Sequence, residues 1–168
     1  MLLPKENAYV SGAISVLDSL VKEGEETSLI TLPHHLHSFL VECLAEHLRD
    51  TDIVHHVLAL NLLNSVTKLG EQGNVLLKRT GDEALLLAGL FPERVRRLHV
   101  SSSYFRLMGQ AAYAGLAVRL HAIGKKERGR FYDAIAEDFR LLEKVLNAAR
   151  ARPETEWDAF QRFRARLQ

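Results

Sequence analysis

Cysteine is nearly missing from this chain. Cys43 stands alone among 168 residues, so no disulfide can form within it and a reducing cytoplasm is the expected setting. No charged, apolar and small-residue leader pattern opens the sequence. No apolar run approaches the ~18 residues that span a bilayer; the longest, Ala84 to Phe91, makes about two helical turns. Catalytic signatures are missing as well. There is no GxSxG, no HExxH, no paired CxxC and no ExxH repeated on two helices, and Gly70-Glu71-Gln72-Gly73-Asn74 lacks the lysine and spacing of a phosphate loop. No catalytic residue and no cofactor are therefore assigned, and the chain reads as a non-enzymatic protein.

What is present fits one globular domain over residues 1–168, with 47% hydrophobic and 26% charged residues. The net charge of +1 hides an asymmetry. Residues 1–84 hold 6 Lys/Arg against 12 Asp/Glu, and residues 85–168 hold 16 against 9, so the halves carry −6 and +7. Such halves can dock on each other, within one molecule or between two copies. The runs Arg94-Val95-Arg96-Arg97 and Lys125-Lys126-Glu127-Arg128-Gly129-Arg130 are able to grip phosphates, but no base-reading motif accompanies them, so nucleic acid is not the expected partner.

Helical periodicity dominates and no segment alternates like a strand, so the class is all-α, a bundle of about six to seven helices. Val10, Ala13, Ile14, Leu17, Leu20 and Val21 make one stripe from about Glu6 to Glu23, with Gly24 as the left-handed stop. Thr31 is placed to cap a second helix, with Pro33 in its first turn, running to about Arg49 on Leu36, Phe39, Leu40, Cys43, Leu44 and His47. Ile53 to Leu69 is apolar on most sides and is expected at the centre of the bundle. Further helices are predicted over Asn74 to Phe91, from the Ser101–Ser103 caps to Gly124, and over Lys126 to Arg150. A last one begins at Pro153, with Trp157, Phe160, Phe163 and Leu167 on one face, able to cover the core or a second subunit.

Between Gly81 and Ala117, glycines and alanines recur at helical spacing. Gly81, Ala84 and Ala88 share one face, and Phe105, Gly109, Ala112 and Leu116 share another, so the two helices are expected to approach closely. Asp82 is about one turn from Lys78 and Arg79 and can pair with either, or can cap a new segment if Thr80-Gly81 breaks the helix. Tyr104 and Tyr113 each bring a hydroxyl to an apolar helix, and Asp82 is the candidate acceptor. Histidine is plentiful at eight. Cys43, His47 and His55 have ligand types suited to zinc or iron if the two histidine-bearing helices are antiparallel, but the spacings are permissive and no metal is assigned. His34, His35 and His37 read as an exposed first turn. A ligand pocket, were there one, would gather His47, His55, Asp82, Tyr104 and Tyr113. That small-molecule or metal-binding pocket is the alternative; the leading reading is a helical interaction or regulatory protein whose expected partner is a second copy of itself, met through the aromatic last helix or the charge-asymmetric surfaces.

The run Gly81-Asp82, Leu85-Leu86, Gly89 and Phe91, followed by Tyr104-Phe105, Met108-Gly109 and Ala112-Tyr113, resembles an uncharacterised family of small bacterial helical proteins. That family reads GD, LF, G, F and then YY, MG, AY at these spacings. Leu86 and Phe105 stand where the family has Phe and a second Tyr, and His35 and His37 where an aromatic residue is usual. The resemblance implies a shared helical fold and carries no activity, cofactor or partner.

Overall fold

The computed structural model describes residues 4–47, 62, 64, 65, 67–97 and 99–150, without the side chains of 4–11, 93 and 94. Among these residues seven helices are delimited and no strand occurs. They are α1 (Pro4–Ser28), α2 (His34–Glu46), α3 (Gly70–Leu90), α4 (Pro92–Arg97), α5 (Ser102–Ala122), α6 (Lys126–Glu137) and α7 (Phe139–Arg150). The expected helix over Ile53–Leu69 and the aromatic helix from Pro153 lie outside the described residues in whole or large part. No described helix is long and apolar enough to cross a membrane. The backbone divides into two compact units, residues 1–51 with 144–168, and residues 52–143.

In the first unit α1 and α2 pack together. α1 buries Ala13, Leu17, Leu20 and Val21, and α2 buries Leu36, Phe39, Leu40, Val41, Cys43 and Leu44. α1 does not stop at Gly24. The backbone carbonyl of Val145 and the methyl group of Ala149 occupy the space that a Cβ at Gly24 would need, so this glycine is a contact point inside the helix. The helix ends one turn later, where the Ile30 amide donates to the Glu25 carbonyl at 3.1 Å and the Leu29 amide to that of Glu26 at 3.3 Å. Such paired bonds define a Schellman ending, whose left-handed position here falls on Leu29 at φ 56°. A leucine pays about 1–2 kcal/mol for that conformation. Leu29 is also 92% exposed, so little packing offsets the strain. Leu29→Gly is accordingly expected to raise stability by about 1 kcal/mol in urea unfolding; an unchanged midpoint would show the strain to be relieved. At the start of α2 Pro33, not Thr31, occupies the capping position, with φ −54° and ψ 147° and no side-chain cap bond.

In the second unit α3 packs against α5, and α5 against α6. Every residue of α3 from Gly81 to Leu90 is buried, so this half-helix is enclosed on all sides. Helix α3 starts at Gly70, a turn earlier than its periodicity suggested, and Gly73 in its first turn leaves room for the Arg119 guanidinium. That group donates to the carbonyls of Lys68 and Ser65, groups that precede the helix. Pro92 opens the short α4, where a missing amide donor costs little. Ser101 caps α5 as expected, its Oγ accepting from the Tyr104 amide at 3.3 Å. α5 ends in a second Schellman pair, Lys125 to Leu120 at 2.9 Å and Gly124 to His121 at 3.0 Å, this time with glycine at the left-handed position, φ 79°. The long helix expected over Lys126–Arg150 is two helices. Asp138 ends α6, and its carbonyl accepts from the amides of Leu141 at 2.8 Å and Leu142 at 3.1 Å as α7 begins.

Candidate functional site

Asp82 and Tyr113 meet in the second unit, carried by α3 and α5. The Tyr113 hydroxyl donates to Asp82 Oδ1 at 2.7 Å, and both residues are fully buried. Lys78, one turn before Asp82, donates from Nζ to Oδ2 at 2.8 Å. Of the two roles open to Asp82, pairing with Lys78 is the one adopted, since α3 runs through Thr80-Gly81 without a break. Gly81 makes room for the ring: a Cβ there would lie 2.5 Å from Tyr113 Cε1. The ring is flanked by Tyr132, stacked at 6.1 Å, and by Phe139, tilted at 6.1 Å. Glu83, also buried, accepts from Arg79 Nε at 2.7 Å. A bare buried carboxylate costs several kcal/mol, so each acid of this enclosed half-helix is served by a base whose charged end reaches towards water.

Other polar groups stitch α5 to its neighbours. Arg106 donates from Nε and NH2 to the two oxygens of buried Glu143, at 2.7 and 3.0 Å. That forked contact raises the Arg106 pKa, against the smaller opposing effect of burial. Gln110 donates to the Ala136 carbonyl at 3.2 Å. His121 contacts Asp133 at 2.7 Å, and its ring lies where a Cβ at Gly129 would be.

Tyr104, His47 and His55 are the remaining sequence candidates. Tyr104 lies nine residues before Tyr113 on α5, about 14 Å along the axis. It does not share the Asp82 site, and its ring meets Phe105 edge-on at 5.4 Å. His47 is in the first unit, half-buried at the end of α2, its amide donating to the carbonyl of buried Cys43 at 3.2 Å. His55 lies outside the described residues. Cys43 and His47 are thus two ligand types one turn apart on the chain.

One site was not anticipated. His37, read as part of an exposed first turn, is instead held between two carboxylates of α1. Its Nδ1 lies 2.7 Å from Glu25 Oε2 and its Nε2 2.8 Å from Asp18 Oδ1. Glu25 Oε1 also accepts from the Leu32 amide at 2.6 Å, and Lys22 pairs with Asp18 at 2.7 Å. The available signal was the seven-residue spacing of Asp18 and Glu25, which puts both acids on one face of α1. Burial lowers the imidazole pKa, but the hydrogen bonds to Asp18 and Glu25 outweigh it and raise the net value. Asp18 is lowered, first by its bond from Lys22 and then by that to His37.

Compared with protein-family models, curated proteins and solved structures, the chain matches none. The fold defines it, at this level, as an all-helical protein.

Proposed function

We propose that this chain is a non-enzymatic helical interaction protein that works as a homodimer in the cytoplasm, with the outward face of α5 as its contact surface. One observation carries the reading. The exposed positions of α5 beyond its first turn are Leu107, Ala111, Ala114, Val118 and Ala122, all apolar and none charged. Ile123 follows at the helix end, also exposed. Water-facing helix positions ordinarily carry charge, and an apolar stripe calls for a cover. The spacing of four, three and four residues from Leu107 to Val118 is symmetric about its midpoint. Two copies of α5 laid antiparallel about a two-fold axis would set Leu107 against Val118 of the second copy and Ala111 against Ala114, with the alanines allowing close approach.

Magnitudes set the strength of such a dimer. Leu107, Val118 and Ile123 are 62%, 66% and 59% exposed. Burying what remains is worth about 1–2 kcal/mol for each, or roughly 6–12 kcal/mol over two copies. Association costs at least about 4 kcal/mol. One helix face also falls short of the ~800 Å² per partner of a standard interface. The expected dimer is therefore weak, dissociating in the micromolar range or above.

Sedimentation over a dilution series tests the reading. Wild-type protein should pass from dimer to monomer, while Ala111→Glu and Ala114→Lys should each be monomeric with unchanged helicity. Mixing the two variants should restore a heterodimer, because the antiparallel register pairs position 111 with position 114. A monomer at all concentrations, or a dimer indifferent to Ala111→Glu, would refute the proposal. The alternative, a small-molecule pocket around Asp82 and Tyr113, is weakened by the bond those two groups make to each other.

A further inference from the structure

The proton count around His37 is fixed by its geometry. Two ring nitrogens face two carboxylate oxygens, at 2.7 and 2.8 Å. A neutral imidazole has a single N–H, and an ionised carboxylate has no proton to give. Both contacts can be hydrogen bonds together only if the ring is the imidazolium. Once a ring proton is lost, a nitrogen lone pair faces a carboxylate oxygen, and one contact turns repulsive.

We propose that the corner between α1 and α2 is a pH-sensitive latch: the His37 imidazolium locks the segment Leu29–Pro33 through Glu25, and loss of one ring proton releases it. Glu25 is the coupling element because its two oxygens do different work. Oε2 meets the ring and Oε1 accepts from the Leu32 amide at 2.6 Å, so the carboxylate that anchors histidine also anchors the corner. The corner needs an anchor, since its first residue, Leu29, holds a left-handed conformation that leucine disfavours.

Among the described residues, the charged groups that act on the ring are Glu25 and Asp18 of α1, with Lys22 behind Asp18. The first turn of α2 adds His34 and His35, both exposed. The corner itself, Leu29 to Pro33, contributes no ionisable side chain. At Gly24, α7 meets α1 through the uncharged Val145 and Ala149. The direction of the pH effect follows. His37 is raised above 6.5, so its contribution is complete below that value and disappears as pH rises through the raised one. Asp18 is lowered below 3.8, so its contribution holds above that value and is lost as pH falls through the lowered one. The latch is closed between the two folded-state values and opens on the alkaline side.

The test uses the full chain and NMR. Long-range ¹H–¹⁵N spectra of the imidazoles, followed through a pH titration, should show both nitrogens of His37 protonated on the acid side of its titration, and that titration above that of an ordinary histidine. Exchange of the Leu32 amide, corrected for base catalysis, should accelerate about tenfold or more across the same titration. Glu25→Gln should return His37 towards the ordinary value and leave Leu32 exchange insensitive to that titration. The half-exposed Asp18→Asn gives the same shift in His37 should the Glu25 variant fail to fold. A His37 that titrates at or below the ordinary value, or Leu32 protection that stays flat through its titration, overturns the latch.

Discussion

Tyr113→Ala is expected to lower the unfolding free energy by about 3–5 kcal/mol, and Tyr113→Phe by about 1–3 kcal/mol, in urea denaturation followed by circular dichroism. The first figure reflects a ring with no exposed surface, wedged between Gly81, Tyr132 and Phe139, whose removal leaves a void that rigid neighbours fill poorly. The second isolates the hydroxyl. Without it the buried Asp82 carboxylate keeps the Lys78 bond but loses a charge-assisted donor, which is worth more than a neutral bond. Against a typical total stability of about 5–15 kcal/mol, the alanine variant approaches the limit of folding at physiological temperature. A neutral Tyr113→Phe would mean that Asp82 is satisfied without the tyrosine hydroxyl, and the buried bond would have to be discounted.

Gly109→Ala is expected to destabilise the protein by about 1–3 kcal/mol, the reverse of the usual effect of filling a helical glycine. Alanine in a helix interior ordinarily stabilises by about 0.5–1 kcal/mol over glycine. At Gly109, however, an added methyl group would run into the Phe139 ring and come within 3.1 Å of the Ala84 methyl. Phe139 is itself fully buried and has little room to retreat. Gly115→Ala is the internal control, six residues along the same helix. Its nearest neighbour would be Leu77 Cδ2 at 3.6 Å, an ordinary contact, so the intrinsic preference should dominate and stability should rise by about 0.5–1 kcal/mol. If both variants shift the urea midpoint in the same direction, the close approach of α3, α5 and Phe139 is not what decides the residue at position 109.

Local chemistry was readable in the sequence wherever its partner was also local. Lys78 and Asp82 are one turn apart, Ser101 caps the helix that follows it, and Gly124 supplies the left-handed stop. The meeting of α3 and α5 was readable too, because small residues at helical spacing leave few other uses for so much exposed backbone. Beyond that pair of helices and its Tyr113–Asp82 bond, long-range contacts were hidden. Gly24 looked like a stop signal because glycine has two roles, and only the distant Val145 shows which applies. His37 looked like surface because its partners lie 12 and 19 residues earlier. The break at Asp138 has neither glycine nor proline to mark it, and the apolar spacing from Ile135 through Phe139 to Leu142 runs across it undisturbed. Tyr104 and Tyr113 looked equivalent, yet only Tyr113 lies level with Gly81 and Asp82.

The two halves of the Tyr113 contact come from adjacent residues: Gly81 yields space to the ring and Asp82 accepts its hydroxyl. Positions 81, 82 and 113 should therefore drift together in the descendants of this sequence. A lineage that loses the tyrosine for a smaller side chain removes both the reason for glycine and the reason for a buried acid. Its neighbours are then free to become an ordinary pair of apolar helix residues, and the joint change leaves a three-site covariation that alignments of divergent copies would carry.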